Sequence, residues 1–207
     1  MKASTQKLWD VQNRHPGDRQ ALFAAVAAAL PVQTVLYPGS FVDIAASFVF
    51  NDVTYSDMDR RAKKFFEDPI TVDHIIAANR RSDTTAMWAF VPGDYTEPLD
   101  IPTNHYDLLV SLYAGFISEH CTQHLRTGGW LLVNSSHGDA AMASITAGYT
   151  LTAVIEKRGS GYRYIDQELD SYLQPKKPTN ITTDVLHQTN RGVAYTKSPA
   201  AYLFQKH

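Results

Sequence analysis

Two residues set the chemical question. Gly39 closes the apolar run Thr34–Gly39 within the turn Pro38-Gly39-Ser40, and Asp57 closes the next apolar run eighteen residues later. A glycine in a tight strand-to-helix turn lets the backbone approach a ligand closely, and a carboxylate at the tip of the following strand is placed to accept both hydroxyls of an adenosine ribose. Ser40 or Asp43 can satisfy free amides where the next helix begins. Asp57 and Asp59 are equally suited to cap the helix that starts "DMDRRAKKFFED", and two carboxylates leave room for one to cap and one to bind. A third strand empties into Pro92-Gly93-Asp94, where an acid in a turn can reach an adenine amino group or simply face solvent.

Other groupings carry less. Glu119, His120 and His124 are metal-ligand types at one-turn spacing, but they lack the zinc-protease pattern and a third ligand, so no metal site is expected. The run Arg60-Arg61-Ala62-Lys63-Lys64 is followed by Glu67 and Asp68 and has no aromatic stacking platform, so it reads as a solvated helix face rather than a nucleic-acid contact. Residues 158–199, rich in Tyr, Thr, Lys and Gln, form a long excursion before the last apolar run. Such segments are commonly lids or binding loops, and Arg191, Tyr195 and Lys197 are its candidate substrate contacts.

The elements that must position these residues alternate. Apolar runs at 34–39, 52–57, 85–91, 106–113 and 130–135 are separated by helical stretches at 42–50, 59–66, 71–80 and 116–125, the last stopped by Gly128-Gly129. Near-continuous apolar strands between helices predict a parallel sheet covered on both faces. A helix over 139–147, a strand over 149–157 and a terminal strand over 200–207 complete it, the last expected to run antiparallel. Residues 1–31 are read as an N-terminal helical segment, with an amphipathic helix over 18–30, and residues 32–207 as the domain proper.

Composition narrows the class. The 207 residues, 44% hydrophobic and 19% charged with a formal net charge of −2, suffice for one core and give no global field that would draw nucleic acid or anionic lipid. Cys121 is the single cysteine, which excludes an intramolecular disulfide and fits a reducing compartment. No signal peptide or membrane anchor is read, so a cytoplasmic protein acting on a small molecule is expected.

The order of parts, with an acid ending the second strand, Gly93-Asp94 after the third, "YDLLVSLYAGF" as the fourth and Gly-Gly before the fifth, resembles the class I S-adenosylmethionine-dependent methyltransferases over about 32–156 and again at the final strand. The resemblance implies an α/β, Rossmann-like domain with a seven-stranded, mostly parallel sheet and an antiparallel last strand. It implies S-adenosylmethionine as cofactor, with Tyr37, Gly39, Ser40, Asp57, Met58, Asp94 and Ser111 around it and Tyr113 toward the substrate. The glycine loop is degenerate, as in an uncharacterised bacterial branch of that superfamily. Only Gly39 remains, Tyr37 stands where an acid is usual, and Phe41 and Ile44 crowd any pyrophosphate, which weighs against an NAD(P)-dependent oxidoreductase. A binding or regulatory protein that kept the fold without the chemistry is the other alternative.

Overall fold

The computed structural model describes residues 2–80, 82 and 84–207. Helices α1 (Ala3–Gln12) and α2 (Asp18–Ala29) precede β1 (Thr34–Pro38), β2 (Asp52–Asp57), α3 (Arg60–Phe66), α4 (Pro69–Asn79) and β3 (Met87–Pro92). Then come β4 (Tyr106–Ser111), α5 (Ile117–His120), β5 (Leu125–Val133), α6 (Asp139–Ile145), β6 (Tyr149–Arg158), β7 (Gly161–Ile165), α7 (Thr183–Thr189) and β8 (Ala201–Lys206). One sheet runs in the order β3-β2-β1-β4-β5-β8-β6-β7, with β1 to β5 parallel and β8 antiparallel to both β5 and β6. It has eight strands, not seven, because the chain leaving β6 turns at once and pairs back antiparallel as β7.

The apolar runs are continuous because both faces are covered. Val35 and Tyr37 pack with Trp9, Phe23, Val26 and Phe65 on one side, while Leu36 between them packs with Leu109, Ile117 and Met142 on the other. The polar N-terminal stretch forms α1, which docks through Trp9, 5% exposed and edge-on to Phe48 at 5.5 Å.

Two expected helices are not built as such. The stretch 42–50 makes only a 3₁₀ turn over Ala45–Phe48. It has no solvated face, since Val42, Ile44, Phe48 and Phe50 are all buried. Side chains satisfy its backbone instead: Tyr55 accepts from the Ser47 amide and donates to the Ile44 carbonyl, and Arg80 donates to the carbonyls of Ser47 and Phe50. The stretch 116–125 breaks into α5 and a 3₁₀ turn at Thr122–His124. Gly128-Gly129, read as a helix stop, lies inside β5, where the β4–β5 register shifts. A Cβ at Gly129 would come 2.7 Å from Leu125 Cδ1 and 2.9 Å from the Arg126 carbonyl, so the irregularity needs glycine there.

At the opposite end of the strands from the turn at Gly39, the Asp107 carboxylate ties three strands together. It accepts from the amides of Gln33 (2.8 Å) and Thr34 (2.9 Å) and from Arg126 Nε (2.6 Å). Burial alone would raise its pKa, but the Thr34 amide and the Arg126 guanidinium hold it below the ordinary carboxylate value. A depressed carboxylate pKa contributes stability above the unfolded-state value and loses it as pH falls. Asp107→Ala should therefore cost about 2 to 3 kcal/mol at neutral pH, roughly 4 to 12 °C in melting temperature. The gap from wild type should close as pH drops below about 4; a constant gap across pH 2 to 7 would rule out this role.

Candidate functional site

Strand order reverses between β1 and β4, so the ends of β1, β2 and β4 frame a crevice. The loop over 112–116 forms one wall and is fixed at both ends by a single carboxylate. Asp139, at the start of α6 and fully buried, accepts from the hydroxyls of Ser111 and Ser118 and from the Ser118 amide at 3.2 Å. Burial pushes the Asp139 carboxyl up, against the opposing pull of these donors. Asn134 braces the same loop, its Oδ1 accepting from the amides of Tyr113 (3.3 Å) and Ser136 (3.2 Å).

At the tip of β1, Gly39 has φ +63°, and its amide donates to the Ser56 carbonyl at 2.8 Å. A Cβ there would lie 3.0 Å from Ala114 Cβ and 3.4 Å from the Tyr95 ring, so the loops after β1 and β4 meet across this glycine. The Asp57 carboxylate holds the β1 loop from the other side. Its Oδ2 accepts from the Phe41 amide at 2.7 Å and its Oδ1 from the Asp59 amide at 2.8 Å. Asp59 caps α3, accepting from the Arg61 amide at 2.7 Å.

Gly39, Asp57 and Met58 open on a cleft of about 560 Å³, whose other walls are Tyr95, Tyr113, Phe116, His120, His137, His187 and Asn190. Four of the seven non-glycine residues at positive φ among the described residues line it: Tyr113 (+62°), Phe116 (+56°), His137 (+55°) and Asn190 (+46°). For Tyr113, Phe116 and His137 such a conformation costs about 1 to 3 kcal/mol and persists only where the surroundings enforce it, whereas Asn190 ends α7 as its left-handed cap, a place asparagine takes readily. His187, from α7, meets Glu119 of α5 at 2.7 Å and sits edge-on to Phe116. A larger hollow of about 810 Å³ runs beside β3. Two of its charged side chains are already engaged, Asp73 with the Trp88 indole and Arg80 with backbone carbonyls.

The structure distributes the sequence candidates unevenly. Gly39, Asp57, Met58 and Tyr113 come together in the cleft. Ser40 is buried behind the loop, its hydroxyl and that of Ser56 without hydrogen-bond partners among the described residues. Tyr37 is buried and donates to Asp43 at 3.1 Å; burial first, and then Asp43, push its phenol well above the ordinary value. Ser111 gives its hydroxyl to Asp139. Asp94 folds back on Thr96, whose amide lowers its pKa most, and leaves its neighbours Tyr95 and Thr96 to face the cleft. Arg191, Tyr195 and Lys197 do not line it: Tyr195 is packed against Tyr202, and Lys197 pairs with Glu168 at 3.6 Å over the Tyr172 ring. The excursion reaches the cleft instead through His187 and Asn190. His124 is buried at the far end of β5 near the Pro102 carbonyl, and among the described residues no group of three acidic, histidine or cysteine side chains can hold a metal ion.

Tyr95, Phe116, His120, His137, His187 and Asn190 had no sequence signal of their own as a group. They come from four separate segments, and only the folded chain assembles them.

No protein-family model matches the sequence, and no curated protein matches it. Solved structures do. A putative O-methyltransferase from Klebsiella pneumoniae is 10% identical with a TM-score of 0.51, over 79% of this chain and 88% of that one. The O-methyltransferase TomG from Streptomyces achromogenes, involved in tomaymycin synthesis and solved in complex with SAM, is 13% identical with a TM-score of 0.50, over 79% of this chain and 87% of that one. The chain spans only about half the length of two further matches, 55% of the Bacillus subtilis YcgJ protein and 44% of the [4+2]-cyclase SpnF, at TM-scores of 0.42 and 0.43. At 10 to 13% identity the first two likenesses establish the fold alone: the chain shares the Rossmann-like α/β architecture of these two O-methyltransferase structures.

Proposed function

We propose that the chain is an S-adenosylmethionine-dependent methyltransferase acting on a small, uncharged acceptor. One observation carries this reading: the Asp57 carboxylate stands at the tip of β2, at the switch point, open to the cleft. A carboxylate offers about four lone-pair sites, and the amides of Phe41 and Asp59 occupy one on each oxygen. The remainder match a ribose diol. Gly39 and the aromatic wall of Tyr95 complete a cradle that suits a nucleoside.

A dinucleotide fits poorly. A pyrophosphate needs free amides at a helix N-terminus, whereas here the Phe41 amide is taken by a carboxylate and only a four-residue 3₁₀ turn follows. When bound, the methyl donor would supply an electrophilic methyl on a sulfonium. The residues of the chain would do the rest: Asp57 holds the ribose, Tyr113 and Phe116 exclude water, and the imidazoles of His120, His137 and His187 are the cleft's groups suited to take a proton from the acceptor. Among the described residues no lysine or arginine lines the cleft, so the cleft favours an acceptor without a phosphate or carboxylate. Among the described residues no helix is long and apolar enough to cross a membrane.

The alternative of a ligand-binding protein without methyl transfer is favoured by one feature, the degenerate loop after β1, in which only Gly39 remains of the usual glycines. Tight binding of S-adenosylhomocysteine with no methyl consumed across an acceptor panel would decide for it.

S-adenosylhomocysteine at one hundred times its dissociation constant should add about 2.7 kcal/mol to stability, a rise of roughly 5 to 11 °C in melting temperature, and NAD should add nothing. A shift with NAD alone would reverse the cofactor assignment.

Because Asp57 also anchors the Phe41 loop, the informative variant is Asp57→Asn, which keeps one acceptor oxygen for the Phe41 amide and gives up the bond from the Asp59 amide, so its melting temperature is read alongside its affinity. It exchanges a charge-assisted hydrogen bond for a misplaced donor and should weaken S-adenosylhomocysteine binding at least about tenfold. Asp59→Ala should instead cost about 1 kcal/mol of stability through loss of the α3 cap, with affinity unchanged. Calorimetric titration of both variants checks the assignment. Unaltered binding by Asp57→Asn would remove the ribose from β2.

A further inference from the structure

At one edge of the sheet β3 pairs with β2 alone. The Met87 amide donates to the Asn51 carbonyl at 2.7 Å and the Gly93 amide to the Asp57 carbonyl at 3.2 Å, so the odd-numbered positions turn their backbone groups toward β2. Alternate residues of a strand paired in parallel face the other way. Trp88 and Phe90 therefore hold their amides and carbonyls outward, and Pro92, the next such position, has no N–H to offer.

The two edges of the sheet are finished differently. At the far edge β7 packs against α2 and carries the exposed Arg163 at its centre. Strand β3 reads Met-Trp-Ala-Phe-Val-Pro, without a charge, and its open face shows Met87, 63% exposed, beside the exposed Ala89. An open, uncharged edge of this kind is a template for another strand. Beside it the hollow of about 810 Å³ runs between β3 and α4, walled by Ile76, Ala77, Ala86 and Trp88. Its charges are spent within the chain, Asp73 on the Trp88 indole at 2.7 Å and Arg80 on the Ser47 and Phe50 carbonyls, so the wall it presents is chiefly apolar.

This edge is complementary to itself. With a second copy laid antiparallel across a two-fold axis at Ala89, Trp88 stands opposite Phe90 of the other copy, and each such pair exchanges both of its backbone hydrogen bonds. Trp88 and Phe90 lie on the face covered by α3 and α4, where they make aromatic cross-strand pairs. On the open face Met87 meets Val91 and Ala89 meets its own symmetry mate. The same register brings Pro92 of the second copy opposite Ala86, at the wall of the apolar hollow. No like charges meet along the paired strands, because β3 has none.

We propose that the chain forms a two-fold dimer by antiparallel pairing of β3 with β3, which joins the two eight-stranded sheets into one. The occupant of the edge is a second copy because each outward group of the strand finds its match in the same strand reversed. The inference stands apart from the adenosine reading of the cleft, which opens at the strand tips.

Sedimentation velocity of the full chain should show a dimer with a dissociation constant below about 10 μM. Ala89→Lys and Ala89→Glu each set like charges against each other at the axis, where the two Cα atoms approach to about 4.5 Å, and each should weaken the dimer at least about thirtyfold. An equimolar mixture of the two variants places opposite charges across the axis and should restore the dimer, which requires that residue 89 meet itself. Should the variants fail to fold, amide exchange of the wild-type chain decides: the Trp88 and Phe90 amides should exchange at least about tenfold more slowly above the dissociation constant than below it. A wild-type chain still monomeric at about ten times that concentration would overturn the inference and leave the edge to a strand of another protein. Undiminished dimerisation of Ala89→Lys, a mixture that stays monomeric, or β3 amides that exchange alike at both concentrations would overturn it as well.

Discussion

The carboxylate of Asp139 is the constraint on which the rest of the site depends. It is buried where an unpaired charge would be costly, and it is tolerated because Ser111 at the end of β4 and Ser118 at the start of α5 donate to it from both sides. Those two residues bracket the loop that carries Tyr113, Ala114, Gly115 and Phe116. One residue of α6 thus sets where a whole wall of the cleft stands. Ser111 gives its hydroxyl to this clamp and not to the cleft.

The clamp explains why strained backbone can persist here. Tyr113 and Phe116 both hold left-handed conformations, and His137 and Asn190 do so across the cleft. Asn190 is the ordinary cap of α7, but Tyr113, Phe116 and His137 each cost free energy that the surroundings must offset. Asp139, Asn134 and the Gly39–Ala114 contact supply the enforcement. On the β2 side Asp57 has a similar double character: its carboxylate pins the Phe41 amide and still faces the cleft. Scaffold and site share the same atoms, which is why a substitution at either carboxylate reports on both unless its chemistry is chosen to separate them.

Much of the architecture was legible because a continuous apolar run between helices must be buried on both faces, and a parallel sheet is the arrangement that does so. The parallel strands and the late antiparallel return follow from those runs, whereas the reversal at β1 is seen only in the folded sheet. Local rules failed where tertiary partners replaced them. The stretch after Gly39 has helical spacing, yet Tyr55 and Arg80 take its backbone groups and leave a 3₁₀ turn. Gly128-Gly129 looks like a helix stop and is a strand irregularity. The chain after β6 supplies an eighth strand that no alternation announced. In the cleft, Gly39 and Asp57 were visible because strand tips can be located from sequence, whereas His137, His187 and Asn190 arrive from loops and from the excursion. Composition pointed to Arg191, Tyr195 and Lys197 there, but the fold turns Tyr195 inward and spends Lys197 on Glu168.

The central claim is that the tips of β1, β2 and β4 form a nucleoside seat whose ribose end is Asp57. A crystal structure of the chain grown with S-adenosylhomocysteine tests it most directly. Both ribose hydroxyls are expected within hydrogen-bond distance of the Asp57 carboxylate, with the Phe41 amide still on Oδ2 and the sulfur in the cleft near Tyr113. A nucleoside bound elsewhere, or one in this cleft whose ribose points away from Asp57, would contradict it.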